Sequence, residues 1–98
     1  MILNDKHIEA IRLELSNLTE SFEGDVQVSF DDIEITCNVT YRNECRMVCN
    51  FNYNHEPEYE QYQVLIINSI IITFEDAREV SCSNIAWCRE QLNFEYND

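Results

Sequence analysis

Apolar and polar residues alternate through the middle of this chain. Ile33, Ile35, Cys37, Val39 and Tyr41 are separated by Glu34, Thr36, Asn38 and Thr40, and Cys45, Met47, Cys49, Phe51 and Tyr53 repeat the pattern. A period of two puts each set on one face of a β-strand. Arg42-Asn43-Glu44 then reads as a three-residue turn, a common hairpin length. The resulting hairpin pairs Tyr41 with Cys45, Cys37 with Cys49 and Ile35 with Phe51. A one-residue slip would turn one strand's apolar face to water, which specifies the register.

Upstream, Ile8, Ile11, Leu15 and Leu18 recur at three- and four-residue steps and predict a helix from about Asp5 to Ser21. Asn4 suits its N-cap, Asp5 its positive end, and Leu3 with Ile8 a hydrophobic staple. Gly24 suits a left-handed helix stop. Val26, Val28 and Phe30 form a first strand, and Asp31-Asp32 is a two-residue turn that pairs Phe30 with Ile33. Pro57, within Asn54 to Glu58, breaks the ladder. Tyr62 to Phe74 reads as one long strand bulged at Asn68-Ser69, or as a hairpin turning there. The length of the neighbouring strands favours one strand, with Leu65, Ile67 and Ile71 partly on its other face. Glu75 to Ser81 reads as a loop. Ser83 caps a second helix running to about Phe94, with Ile85, Cys88 and Leu92 inward.

The order is helix, four strands, helix, in a single domain, 1–98. One face of the central hairpin is polar, so both helices belong on the other. The expected fold is α+β: a two-layer sandwich of a four-stranded antiparallel sheet with N-terminal and C-terminal helices on one face. The strand after Pro57 can add at either edge.

Composition and charge narrow the function. With 45% apolar residues, one Gly and one Pro, the chain is not of the disordered class. No basic region followed by an apolar run opens it, and its most apolar stretch, Val64 to Phe74, is too short for a bilayer. The expected location is the cytoplasm (the host cell's, if phage-encoded). Nineteen acids against six bases give a net charge of −13. That disfavours direct nucleic-acid and membrane-surface binding, and favours a basic partner.

Candidate chemistry is sparse. Five cysteines, an odd count, argue against a disulfide framework and read as small hydrophobic core residues. Cys45 and Cys49 lie four residues apart on a strand, roughly 13 Å, too far to share a zinc. Cys37 and Cys49 could share one, or cross-link on oxidation. His7 and His55 are isolated and read as surface residues. Gly-rich phosphate loops and EF-hand spacing are absent, and nothing places a nucleophile beside a base. The chain is therefore expected to be no enzyme, with no cofactor and no metal.

The acids carry the sharper reading. Seven lie between Arg12 and Arg42 without a base, and five more between Arg46 and Arg78. Asp31, Asp32 and Glu34, with Glu56, Glu58 and Glu60, are the expected partner-binding edge, the turns gathering them at one end of the sheet. Carboxylates so displayed could occupy a cleft built for phosphate, with fast, salt-sensitive association. In size and charge the chain resembles the small acidic proteins of phages and mobile elements, among them many inhibitors of restriction or CRISPR nucleases. It carries none of their specific motifs. The resemblance implies a nucleic-acid-mimicking inhibitor of a basic, nucleic-acid-binding protein. The plainer reading is a solvated surface that keeps a small domain soluble. An alternative site is an apolar patch on the open sheet face, Val48, Leu65, Ile67 and Ile71, serving a homodimer or a structural, self-assembling role.

Overall fold

The computed structural model describes residues 1–48 and 58–97. In chain order the elements are α1 (Asp5–Leu15), β1 (Phe22–Phe30), β2 (Ile33–Val48), β3 (Glu58–Phe74), β4 (Glu79–Ser81), α2 (Ile85–Leu92) and β5 (Phe94–Asn97). All strand pairs are antiparallel, in the order β1-β2-β3-β4, with β5 also on β3. The fold is α+β, with both helices on one face of the sheet. Ile8, Ile11 and Leu15 of α1 and Cys88 and Leu92 of α2 share one core with Val28, Ile35, Cys37, Val39, Ile70 and Ile72.

The start of α1 follows its sequence signals. Asn4 Oδ1 accepts from the amides of Lys6 and His7, and Leu3 and Ile8 are both buried. His7 completes the cap by accepting the Asn4 amide on Nδ1 at 3.0 Å. It is buried, its ring 4.5 Å from that of Phe30, and so is not the surface residue expected. The helix stops six residues before Ser21, because tighter bonds from Asn17 N–H to Glu14 O and Leu18 N–H to Leu15 O wind up its last turn. Gly24 is not the helix stop. It lies inside β1 opposite Val39, at φ 152°, and a Cβ there would meet the tip of the Phe22 ring at 3.2 Å.

The central hairpin is replaced by a longer strand. Arg42, Asn43 and Glu44 do not turn; they pair with Val64, Gln63 and Tyr62. Tyr41 therefore faces Phe22 and Leu65, Cys37 faces Val26 and Ile70, and Ile35 faces Val28 and Ile72. Asn43 is tied to the segment just before β1: its N–H donates to Ser21 Oγ at 3.0 Å and its Nδ2 to Thr19 O at 2.8 Å. Cys49, Phe51, Tyr53 and the break from Asn54 to Pro57 lie outside the described residues.

β3 is one strand with a bulge. Asn38 pairs with Ser69 and Val39 with Ile67, leaving Asn68 as the extra residue. One added residue exchanges the faces. Before it the odd positions Leu65 and Ile67 point inward; after it the even positions Ile70 and Ile72 do. Leu65 and Ile67 are thus core residues and not part of an open-face patch.

Two further strands were not expected. Glu79–Ser81 pairs with Ile71–Thr73 where a loop was foreseen, and Phe94–Asn97 pairs with Tyr62–Leu65 just past α2. Between them, side chains of the α2 end close the edge of β3. Asn93 Oδ1 accepts the Ile67 amide at 2.8 Å, while Arg89 donates to Ile67 O at 3.0 Å and Asn68 O at 2.8 Å. Asn84, not Ser83, precedes α2, and its side chain makes no cap bond. It is held instead by Leu3, accepting its N–H at 3.0 Å and donating to its carbonyl at 2.8 Å.

Candidate protein-binding face

The helices leave the other face of the sheet uncovered. On β2 that face carries Glu34, Thr36, Asn38, Thr40, Arg42 and Glu44, and the register places Glu23, Asp25, Gln27 and Ser29 of β1 beside them. On β3 it carries Tyr62, Val64 and Ile66 before the bulge and Ile71 after it. Tyr62, Val64 and Ile66 form an apolar run along the strand, and Ile71 stands apart from it beyond Asn68 and Ser69; Ile66 is 43% exposed and Ile71 37%. Glu79 of β4 and Glu95 of β5 share the face beyond β3.

A row of amides crosses the face at the bulge. Asn68 Nδ2 donates to Asn38 Oδ1 and to Thr40 Oγ1, both at 3.0 Å, and Asn38 Nδ2 donates to Asp25 Oδ1 at 2.9 Å. Three strands are thereby cross-braced in the open, so the face is held in shape before anything meets it. The Arg42–Glu44 ion pair, 3.8 Å apart on exposed side chains, adds little.

The six acids of the expected edge are not brought together. Asp31 and Asp32 form the β1–β2 turn, with Asp31 at φ 49°, and Glu34 follows on the open face. Glu58 pairs with Val48 and Glu60 with Arg46, at the far end of β2. Fifteen strand steps separate the two ends, about 50 Å at the usual rise. Glu56 lies outside the described residues. The gathering failed because it assumed a turn at Arg42 to Glu44. Asp31, Asp32 and Glu34 are joined instead by Glu75, around a shallow depression walled by Thr73 and Phe74. The alternative patch is also reassigned: Leu65 and Ile67 are core, Ile71 is on the open face, and the side chain of Val48 lies outside the described ones. Tyr62, Val64 and Ile66 were missed as its members, since only the bulge tells which parity faces out.

Comparison with protein-family models, with curated proteins and with solved structures finds no match. Among the described residues, no helix is long and apolar enough to cross a membrane, and no group of three His, Cys, Asp or Glu residues could hold a metal ion.

On the helix side, a recess of about 430 Å³ opens between the ends of α1 and α2, floored by Tyr41 and Leu65. Arg12 spans it, donating to Gln91 O at 2.9 Å. Of the cysteines, Cys45 is exposed and not a core residue, whereas Cys37, Cys82 and Cys88 are buried. The sulfurs of Cys82 and Cys88 lie 3.7 Å apart. Burial, and secondarily the neighbouring Cys82, push the Cys37 thiol up to about 12. Burial, with the hydrogen bond to Cys82 second, pushes Cys88 up to about 12 as well.

Proposed function

We propose that this chain is an acidic protein-binding module that receives a basic partner on its open sheet face. One observation carries this reading: the apolar residues Tyr62, Val64 and Ile66, with Ile71 beyond the amide row, lie between margins of carboxylates. Glu23 and Asp25 stand on one side, Glu79 and Glu95 on the other, and Glu34 near one end. Arg42 is the one base on the face whose side chain is described. A partner with apolar anchors set among Lys and Arg would bury these residues and meet the margins, gaining both contact area and steering.

Nucleic-acid mimicry is the narrower form of the proposal, in which the partner is a nucleic-acid-binding protein that the module inhibits by occupying its cleft. The rod-like outline, 65 × 21 × 18 Å, supports it. The charge density is lower than that of a duplex, roughly one net charge per 5 Å of length against about one per 1.7 Å. Inhibition would therefore draw on the apolar residues as well as on charge. Self-pairing over the same residues would set carboxylate margins against each other, which counts against a second copy as the partner.

The test is affinity capture from a source-cell lysate on the immobilised protein, eluted with DNA before salt. The expected result is a basic nucleic-acid-binding protein released by DNA, its association slowed by Asp25→Lys with Glu34→Lys and its dissociation hastened by Ile66→Asp. A partner indifferent to all three substitutions would sink the assignment to this face. A partner sensitive to them but not displaced by DNA would remove mimicry alone. Sedimentation of the free protein as a dimer that Ile66→Asp dissociates would transfer the face to self-assembly.

A further inference from the structure

Cys82 follows β4 directly, and Cys88 is the fourth residue of α2. The fold brings their sulfurs to 3.7 Å inside the core, with Asn84 Oδ1 accepting from Cys82 Sγ at 3.1 Å. Small rotations of the two side chains would close the remaining gap to a bond. We propose that Cys82 and Cys88 are a reversible dithiol–disulfide pair, and that the disulfide locks α2 over the edge of β3.

Three observations point the same way. The first is access. Both residues are buried, but Cys82 is 8% exposed and Cys88 0%, so Cys82 is the less enclosed of the two and the one an oxidant meets first. The chemistry needs a small disulfide as oxidant. The Cys82 thiolate attacks it, forming a mixed disulfide and releasing one small thiol. The Cys88 thiolate then displaces the second small thiol and closes the Cys82–Cys88 bond. Two protein thiols are oxidised, one small disulfide is reduced to two thiols, and both protons leave with them. Proximity speeds the second step, since Cys88 is already within van der Waals reach of Cys82, while its raised thiol slows it.

The second observation is what the bond would hold. An eight-residue helix is marginal alone. Its buried anchors are Cys88 and Leu92, and Arg89, next to Cys88, is the residue that donates to Ile67 O and Asn68 O. A bond at Cys88 therefore fastens the turn from which β3's edge is sealed. The third observation is spacing: among the described residues, Cys82 and Cys88 are the pair whose sulfurs the fold brings to 3.7 Å. In the reduced protein α2 can lift and expose the unpaired backbone of β3; in the oxidised protein it cannot. A cell that keeps thiols reduced would leave the pair open except under oxidative load.

The experiment titrates the reduced full chain with oxidised glutathione, blocks remaining thiols, digests and maps links by mass. Exposed Cys45 acts as the internal control, since its conversion to a mixed disulfide shows that oxidant was sufficient. The expected product is a Cys82–Cys88 link two mass units lighter, formed under native conditions and reversed by dithiothreitol. Hydrogen exchange at the Ile67 amide, bonded to Asn93 Oδ1, should slow at least tenfold on oxidation and return on reduction. Cys37→Ser should leave both results unchanged. Modification of Cys45 without a Cys82–Cys88 link, a link only in denaturant, or a link from either residue to Cys37 would overturn the pairing. A link that leaves Ile67 exchange unaltered would overturn the lock on α2.

Discussion

The bulge at Asn68 makes a prediction that four alanine substitutions can decide. Ile67 is fully buried and Ile70 is 2% exposed, whereas Ile66 and Ile71 are 43% and 37% exposed. An unbulged strand cannot produce that order, because alternation that buries Ile67 would bury Ile71 and expose Ile70. Truncating a buried Ile to Ala removes three carbons, about 2.4 kcal/mol at 0.8 per methylene, and the unfilled cavity raises this within the usual range of about 2–5 kcal/mol. Ile67→Ala and Ile70→Ala should each reach it. Ile66→Ala and Ile71→Ala keep much of their surface in water when folded and should cost under about 1 kcal/mol. A domain of this size has about 5–15 kcal/mol in all. At about 4–8 °C per kcal/mol, the two inner variants should lose about 10 °C or more in Tm. Urea unfolding followed by far-ultraviolet circular dichroism reads the difference as a shift in midpoint at unchanged slope. Large losses at Ile67 and Ile71 with a small one at Ile70, or equal losses at Ile66 and Ile67, would refute the bulge and the face assignment built on it.

Other outcomes are as definite. Gly24→Ala should destabilise by about 1–3 kcal/mol, since it forces a side chain into φ 152° against Phe22; Phe22→Ala should recover only the contact part in a double-mutant cycle. Asn84→Ala strips partners from both backbone groups of Leu3 and should cost about 1–3 kcal/mol, with faster exchange of the Leu3 amide. The Cys37 thiol is raised in the fold, so the unfolded chain gives up a proton between pH 9 and about 12 that the native chain keeps. Stability from this group is whole below pH 9 and falls above it, by at most about 1.4 kcal/mol per pH unit, and Cys37→Ala should flatten that part of the pH profile.

The parts legible in the sequence are those set by local chemistry. Asn4 with Leu3 and Ile8 marks the start of α1, and Asp31-Asp32 turns the first hairpin in the expected register, because a cap and a two-residue turn need only their own neighbours. The single long β3 was legible from the length of the strands around it. What misled was punctuation supplied by tertiary structure. Polar Arg42-Asn43-Glu44 resembles a turn, yet Ser21 and Thr19 take up Asn43 and β3 offers partners throughout. The odd-numbered alternation from Ile33 to Met47 was unbroken apart from Asn43, a signal for one strand that the turn reading passed over. α1 ends without Gly or Pro, and Gly24 serves a strand. The bulge at Asn68-Ser69 was legible too; what was missed is that the residue it adds exchanges the faces, so that Leu65 and Ile67 point inward before it and Tyr62, Val64 and Ile66 outward.

The β2–β3 ladder also sets how the chain can fold. Its contacts nearest in sequence, Val48 with Glu58 and Arg46 with Glu60, lie at the polar end, whereas Ile35 with Ile72 and Cys37 with Ile70 close far larger loops. Closing a loop about four times longer costs roughly 1 kcal/mol more in chain entropy. The ladder is thus cheapest to start far from the core residues Ile35, Cys37, Ile70 and Ile72. The β1–β2 hairpin has no such conflict, since Phe30–Ile33 and Val28–Ile35 are both local and apolar. It should form first and template β3, giving φ-values near one for Val28→Ala and near zero for Ile72→Val. The reverse pattern would mean that the ladder zips from its polar tip. The long ribbon that creates the open face thereby makes the docking of β3, with β4 and β5 paired on it, the slow step.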